Sequence, residues 1–229
     1  MDLVAFYDDY WRSKPDIYDQ VRLDIVASHV GAGEAVLAVD CGPGVLARQL
    51  ADKGNRVIGT DMSHVAVGRA RDRGIEAHQV DLDSAPLPFA DGAFDTVVSD
   101  SGLEHRYHFD KAFDECVRVL KPGGKLVLLL PNMAHWRCRW WLLRGRFPYV
   151  RNTPTDLTHL RFFTVAEARD LLKARRVRIV RTDGSASLWV SGLYPFFFRW
   201  PGIRQAYTWL ARRWPSLFAR DFIAIGIKQ

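Results

Sequence analysis

The chain of 229 residues is short of cysteine, having only Cys41, Cys116 and Cys138, an odd number set far apart. That excludes a disulfide framework and any metal-ligand spacing, so no metal is expected, and a reduced, cytoplasmic compartment is the plain expectation. Long apolar runs are also missing. None approaches the roughly 20 residues that span a bilayer. The first residues include Asp2, Asp8 and Asp9, which is not the basic-then-apolar pattern of a signal peptide. Internal repeats and low-complexity tracts are lacking too. With 48% apolar residues the chain can bury a sizeable core, and its length suits one domain with insertions over 1–229.

The other shortage is of acidic side chains in one part. Residues 1–130 hold 14 Lys+Arg against 21 Asp+Glu, whereas 131–229 hold 18 against 5. The basic part also carries seven of the eight tryptophans: Trp136, Trp140, Trp141, Trp189, Trp200, Trp209 and Trp214. A basic, aromatic part beside an acidic one suggests an anionic acceptor, contact with an anionic membrane surface, or nucleic acid. The plainer alternative puts the arginines on solvated helix faces and the tryptophans in the core.

What is present is centred on Val36-Leu37-Ala38-Val39-Asp40-Cys41-Gly42-Pro43-Gly44. An apolar, β-branched run reads as a buried strand, and Gly-Pro-Gly forces a tight turn before a helix starting near Leu46. Gly42 and Gly44 have no Cβ, so backbone can come close to a ligand, and the first helical turn aims free N–H groups at negative charge. Alone, this signals only a nucleotide-like cofactor on an open α/β sheet.

Further along, Asp16 to Val30 has the apolar spacing of one helical face. Ahead of it, Phe6, Tyr10 and Trp11 can cover a cofactor or simply staple the first helix to the body. Arg56 to Thr60 reads as a second strand ending on Asp61, whose distance from Gly42 is close to that at which this fold presents a carboxylate to a ribose diol. Asp61 can also cap the helix that starts near Ser63. A third strand, Ile75 to Val80, ends at Asp81-Leu82, where an adenine amine could be accepted. A fourth, Phe94 to Val98, leads into Ser99 and then Leu103-Glu104-His105 at the same edge. A helix from Asp110 to Leu120, a turn at Lys121-Pro-Gly-Gly124 and the apolar strand Lys125 to Leu130 complete the pattern.

In this order the motifs resemble a class I S-adenosylmethionine-dependent methyltransferase over about 34–131. The resemblance implies a Rossmann-like α/β fold with seven strands, the last antiparallel, and helices on both faces. It implies S-adenosylmethionine as cofactor and S-adenosylhomocysteine as product. Carried over to this sequence, Gly42 and Gly44 lie against the methionine part, Asp61 with Met62 at the ribose, Asp81 with Leu82 at the adenine, and Tyr10 and Ser99 beside them. The family's acidic residue and first glycine are replaced by Ala38 and Asp40, so Asp40 is the candidate partner of the cofactor's ammonium.

The stretch Pro131-Asn-Met-Ala-His135-Trp136 and the later Asp156-Leu-Thr-His159-Leu-Arg161-Phe-Phe-Thr164 are similar to methyltransferases of glycan and surface-polysaccharide synthesis, and to the methionine-biosynthesis protein W family. They imply a small-molecule or saccharide acceptor, with His135, Trp136 and Arg161 as its contacts, Arg161 able to grip a phosphate or carboxylate. Trp136, Trp140 and Leu143 fall on one helical stripe, a pattern more often core than membrane contact. Thr164 with Glu167 reads as a capping box for a helix from Val165 to Ala174. A sixth strand runs over Arg176 to Arg181 and a last one over Phe222 to Ile227. The arrangement divides the chain into a cap region over 1–33, a cofactor core over 34–131, and basic aromatic insertions over 132–164 and 185–219, after strands 5 and 6.

For methyl transfer to a hydroxyl, His105 is the first candidate base, then His159 and His135, with Glu104 orienting the ring; the alternative is a structural Glu104-His105 pair. Competing functions are an RNA methyltransferase, disfavoured by Ser99-Asp-Ser-Gly where an Asn/Asp-Pro-Pro motif is needed, and a non-catalytic partner protein. Oligomeric state is open.

Overall fold

Ala35–Val39 is apolar throughout, and as strand β1 it is buried on both faces, as central parallel strands are. Val36 and Ala38 turn to one face of the sheet, where they meet Leu23, Val26, Leu46 and Leu50. Leu37 and Val39 turn to the other, against Phe109, Phe113 and Leu172. The alternation sets which helices cover which face. The computed structural model describes residues 2–15, 17–151, 153–186 and 200–229.

The elements follow in chain order: α1 (Leu3–Ser13), α2 (Gln20–Ala27), β1, α3 (Val45–Asp52), β2 (Arg56–Asp61), α4 (His64–Asp72), β3 (Glu76–Gln79), β4 (Phe94–Asp100), a 3₁₀ turn (Leu103–His105), α5 (Phe109–Arg118) and β5 (Leu120–Pro131). Then come α6 (Trp136–Leu143), α7 (Val165–Ala174), β6 (Val177–Ser185), α8 (Pro201–Arg213), α9 (Pro215–Phe218) and β7 (Asp221–Lys228). The seven strands form one sheet in the order β3-β2-β1-β4-β5-β7-β6, in which β7 runs antiparallel to both neighbours. Helices lie on both faces, as expected from the sequence.

Several boundaries moved. The helix expected from Asp16 to Val30 is the shorter α2, capped by Asp19, whose side chain accepts from the Arg22 amide. A separate helix, α1, precedes it, capped by Asp2. Ser63, not Asp61, caps α4. The Lys121–Gly124 turn is an excursion inside β5, between the pairings Phe94↔Leu120 and Thr96↔Lys125. Thr164 caps α7 as read, its hydroxyl accepting from the Glu167 amide, but the Glu167 carboxylate meets the Thr164 hydroxyl instead of its amide, so the reciprocal half of the box does not form among the described residues. Of the 185–219 insertion, 187–199 with Trp189 and Pro195 lies outside the described residues; α8 and α9 form its remainder.

The tryptophan stripe is not core. Trp136, Trp140 and Leu143 are exposed, and α6 buries Cys138 instead. Trp200, Trp209 and Trp214 are exposed as well. Part of the basic surplus lines a cleft of about 570 Å³ beside β6, formed with Arg169, Lys173, Arg176, Arg178 and Arg181. Among the described residues, no helix is long and apolar enough to cross a membrane.

Candidate functional site

Strands β1, β2 and β4 run parallel, β3 pairs parallel with β2, and all four end on one edge. After β1 the chain turns sharply through three left-handed residues, Asp40 (φ 51°), Gly42 (φ 54°) and Gly44 (φ 78°). Both glycines are required by the chain itself. A Cβ on Gly42 would lie 2.9 Å from the Trp11 ring, and one on Gly44 would lie 2.9 Å from the Ala70 Cβ of α4. The close approach inferred for a ligand is here, in part, an approach of helices α1 and α4.

Asp61 closes the loop onto β2. One carboxylate oxygen accepts from the Gly42 amide at 2.9 Å and the other from the Ser63 amide at 2.9 Å. Burial pushes its carboxyl up to about 6, against the pull of the two amides. Met62, next along, is buried. At the end of β3, Asp81 accepts from the Asp83 amide and the Ser84 hydroxyl, and Leu82 is buried. At the end of β4, the Ser99 hydroxyl is fully buried and has no hydrogen-bond partner among the described residues.

Arg106 ties these ends together, and sequence reasoning missed it. Its guanidinium donates to Asp40 through Nη2 and Nε, and reaches Asp81 through Nη1 at 3.4 Å. The side chain is 4% exposed and that of Asp40 10%. Asp40, expected at the cofactor's ammonium, therefore has a cation from its own chain.

Helix α1 lies over the same edge. Asp8, buried, accepts from the Ser63 hydroxyl at 2.5 Å and from the Val65 amide, pinning α1 to the start of α4. Trp11 covers Gly42, and Tyr7 sets its ring edge-on to His105 with centroids 6.1 Å apart. Tyr10 was the expected contact. It points to the exposed side, where its hydroxyl takes a hydrogen bond from Lys14 at 2.6 Å. A helical reading of residues 3–13 puts Tyr7, Asp8 and Trp11 on one face, and that was the signal available in the sequence.

The catalytic candidates converge. Glu104 is fully buried, with neither carboxylate oxygen hydrogen-bonded among the described residues. His105 Nε2 lies 3.9 Å and His159 Nε2 4.0 Å from Glu104 Oε1, and the two rings are 4.9 Å apart. Burial pushes the Glu104 carboxyl up to about 8 and the His105 imidazole down to about 4; it lowers His159 as well. Both rings are thus neutral near pH 7. At 3.9 Å Glu104 does not hydrogen-bond to His105, so the ring is oriented instead by the Thr158 carbonyl, at 3.0 Å from Nδ1.

The expected acceptor contacts are placed differently. His135 is buried, its Nδ1 accepting from the Arg137 amide as the cap of α6 and its Nε2 lying 3.1 Å from the Tyr207 hydroxyl. Trp136 donates from its indole to the same hydroxyl. Arg161 is exposed and donates to the Tyr107 carbonyl at 2.8 Å.

Seven strands in this order, with a glycine turn and carboxylates at one edge, define a class I methyltransferase fold. Residues 37–128 match the family described as a methyltransferase domain. A Mycolicibacterium smegmatis protein named a probable S-adenosylmethionine-dependent methyltransferase is 32% identical over 179 residues, 77% of this chain and 63% of that protein. The demethylmenaquinone methyltransferase of Thermus thermophilus is 38% identical over 104 residues, 43% of this chain and 47% of the enzyme. The chain thus spans about half to two-thirds of the length of these relatives. Among solved structures, the magnesium protoporphyrin IX methyltransferase of Synechocystis, with bound S-adenosylhomocysteine, superposes with a TM-score of 0.66 at 17% identity, over 99% of this chain and 98% of that one. The chain therefore has the class I methyltransferase fold, and its residues 37–128 match a methyltransferase-domain family. The residues present suit S-adenosylmethionine in kind: left-handed glycines, the unpartnered Ser99 hydroxyl, and acids at neighbouring strand ends.

Proposed function

We propose that this protein methylates a hydroxyl of a small-molecule acceptor, of saccharide type and anionic or lipid-linked. The observation that carries the reading is the convergence of Glu104, His105 and His159 beside the strand ends that would hold the cofactor. When bound, S-adenosylmethionine supplies a methyl on a sulfonium, whose C–S bond breaks as the C–O bond forms while the electron pair stays on sulfur. Gly42 and Gly44 would bound its methionine part, Asp61 accept from the ribose diol, and Asp81 with Leu82 meet the adenine. The acceptor hydroxyl must lose its proton as it reacts, and the cluster offers buried basic atoms turned to one point, with the neutral His105 ring the most open of the three at 21%. Helix α1 and the buried cluster exclude water, and holding the reactants in line alone can supply roughly 7–11 kcal/mol.

A lipid-linked acceptor is supported by α6, which turns Trp140, Leu142 and Leu143 outward and carries Arg144 4.4 Å above the Trp140 ring. The reading is tested by calorimetry with S-adenosylmethionine, followed by a mass-spectrometric screen of phosphorylated saccharides, polyprenyl-linked saccharides, quinols and RNA for the gain of one methyl. Methylation of a saccharide hydroxyl is the expected result. Methylation of RNA or of a quinol ring carbon instead rejects the acceptor class, and no cofactor binding rejects the function.

Asp61 makes cofactor affinity depend on pH. Its raised pKa means that the folded protein favours the protonated carboxyl; this contribution to stability is complete below the usual value of 3.8 and is lost as pH rises through about 6. A ribose diol donates to the ionised form. Affinity for S-adenosylmethionine should therefore fall as pH drops through about 6, and calorimetry between pH 5 and pH 8 should show that step in the wild type and its absence in Asp61→Asn.

A further inference from the structure

We propose that Glu104, His105 and His159 form a binding site for a divalent first-row transition ion. The argument starts from which ring nitrogen carries the proton. His105 Nδ1 lies 3.0 Å from the Thr158 carbonyl oxygen and His159 Nδ1 3.2 Å from the Pro154 carbonyl oxygen. A carbonyl can only accept, so each Nδ1 is the donor, and a neutral ring then has a bare lone pair on Nε2. Both Nε2 atoms face the same oxygen, Glu104 Oε1, at 3.9 and 4.0 Å. Glu104 Oε1 and the two bare Nε2 atoms thus face one another.

The ligating atoms of the three residues lie within 4.8 Å of one another. Zinc–nitrogen and zinc–oxygen bonds of about 2.0–2.2 Å put tetrahedral ligands about 3.4 Å apart. The cluster is therefore open by about 1 Å and closes by small side-chain rotations. Two imidazoles and one carboxylate, each imidazole fixed through Nδ1 by a backbone carbonyl, are the donor set and the supporting bonds that zinc and related ions take, with positions left for water or substrate.

The ion's purpose rests on the proposed methyl transfer. Held at the acceptor side, it would favour the ionised hydroxyl; the proton leaves to solvent, and His105 serves as ligand instead of base. Position 159 is too far along the chain for any sequence spacing to join it to Glu104 and His105.

The test is titration of the chelator-treated, full-length protein with Co²⁺, followed by its visible absorption, with calorimetry for S-adenosylmethionine on the same sample. One Co²⁺ per chain with d–d bands of a nitrogen–oxygen site, and a raised melting temperature, are expected. Glu104→Gln and His159→Asn, shown to be folded by circular dichroism, should each weaken Co²⁺ binding at least about 10²-fold, since loss of a mere supporting contact already costs about 10–100-fold. No absorption and no stabilisation of the wild type at millimolar Co²⁺ overturns the site, as does equal Co²⁺ binding by wild type and both variants. Either outcome with cofactor binding intact leaves the methyltransferase reading standing, whereas Co²⁺ binding without cofactor binding removes that reading and keeps the site.

Discussion

Replacing His105 with alanine should slow methyl transfer by about 10²–10⁴-fold while leaving the affinity for S-adenosylmethionine unchanged. The ring sits in the 3₁₀ turn after β4, and among the described residues no hydrogen bond joins it to Asp61 or Asp81. Its Nδ1 bond to Thr158 fixes the orientation, and burial pushes the imidazole down to about 4, so near pH 7 the ring is neutral and presents a bare Nε2. The acceptor found by the screen provides the rate assay, and calorimetry the binding control. Added imidazole should restore part of the rate if the ring takes the proton itself. Excess Co²⁺ should restore it if the ring is a ligand. Undiminished turnover in His105→Ala removes both roles and leaves the residue a structural one.

The largest expected effect on stability is at Arg106. Its guanidinium is nearly inaccessible and neutralises Asp40, which is itself nearly buried and held in a left-handed backbone conformation. Arg106→Met leaves Asp40 without its partner, and removing one member of a buried pair typically costs about 3–5 kcal/mol. For a domain of this size each kcal/mol lowers the melting temperature by about 2–4 °C, so a drop of about 6–20 °C is expected by calorimetric scanning. The double variant Asp40→Asn with Arg106→Met should recover most of that loss. Asparagine suits the conformation, which aspartate and asparagine adopt more readily than most residues, and it carries no charge to strand. If Arg106→Met melts with the wild type, the pair contributes little, and Asp40 is as free for a ligand as the sequence suggested.

Much of the edge formed by the strand ends was legible because it is written in local patterns. Val36 to Val39, the Gly-Pro-Gly turn, Asp61 and Asp81 each close a strand, and the apolar strands between polar helices fix a parallel sheet whose ends share an edge. The cap at Thr164 was read for the same reason: it needs only residues three apart. Where reading failed, a partner lay far away in sequence. The stripe of Trp136, Trp140 and Leu143 has the spacing of a buried face, yet the residue that α6 buries is Cys138, and the stripe remains outside. His135 sits in a motif suggestive of acceptor contact, but Tyr207, on a helix near the other end of the chain, meets its ring.

The sequence by itself determined the order of βα units, and through it the class of fold and the edge at which the strands end, since strand ends follow from local hydrophobic period and glycine turns. Only the tertiary structure decided that Arg106 neutralises Asp40 against Asp81, and that His159 faces Glu104 and His105. Those arrangements depend on where buried charges and lone pairs find partners once the sheet has closed, and no spacing along the chain encodes that.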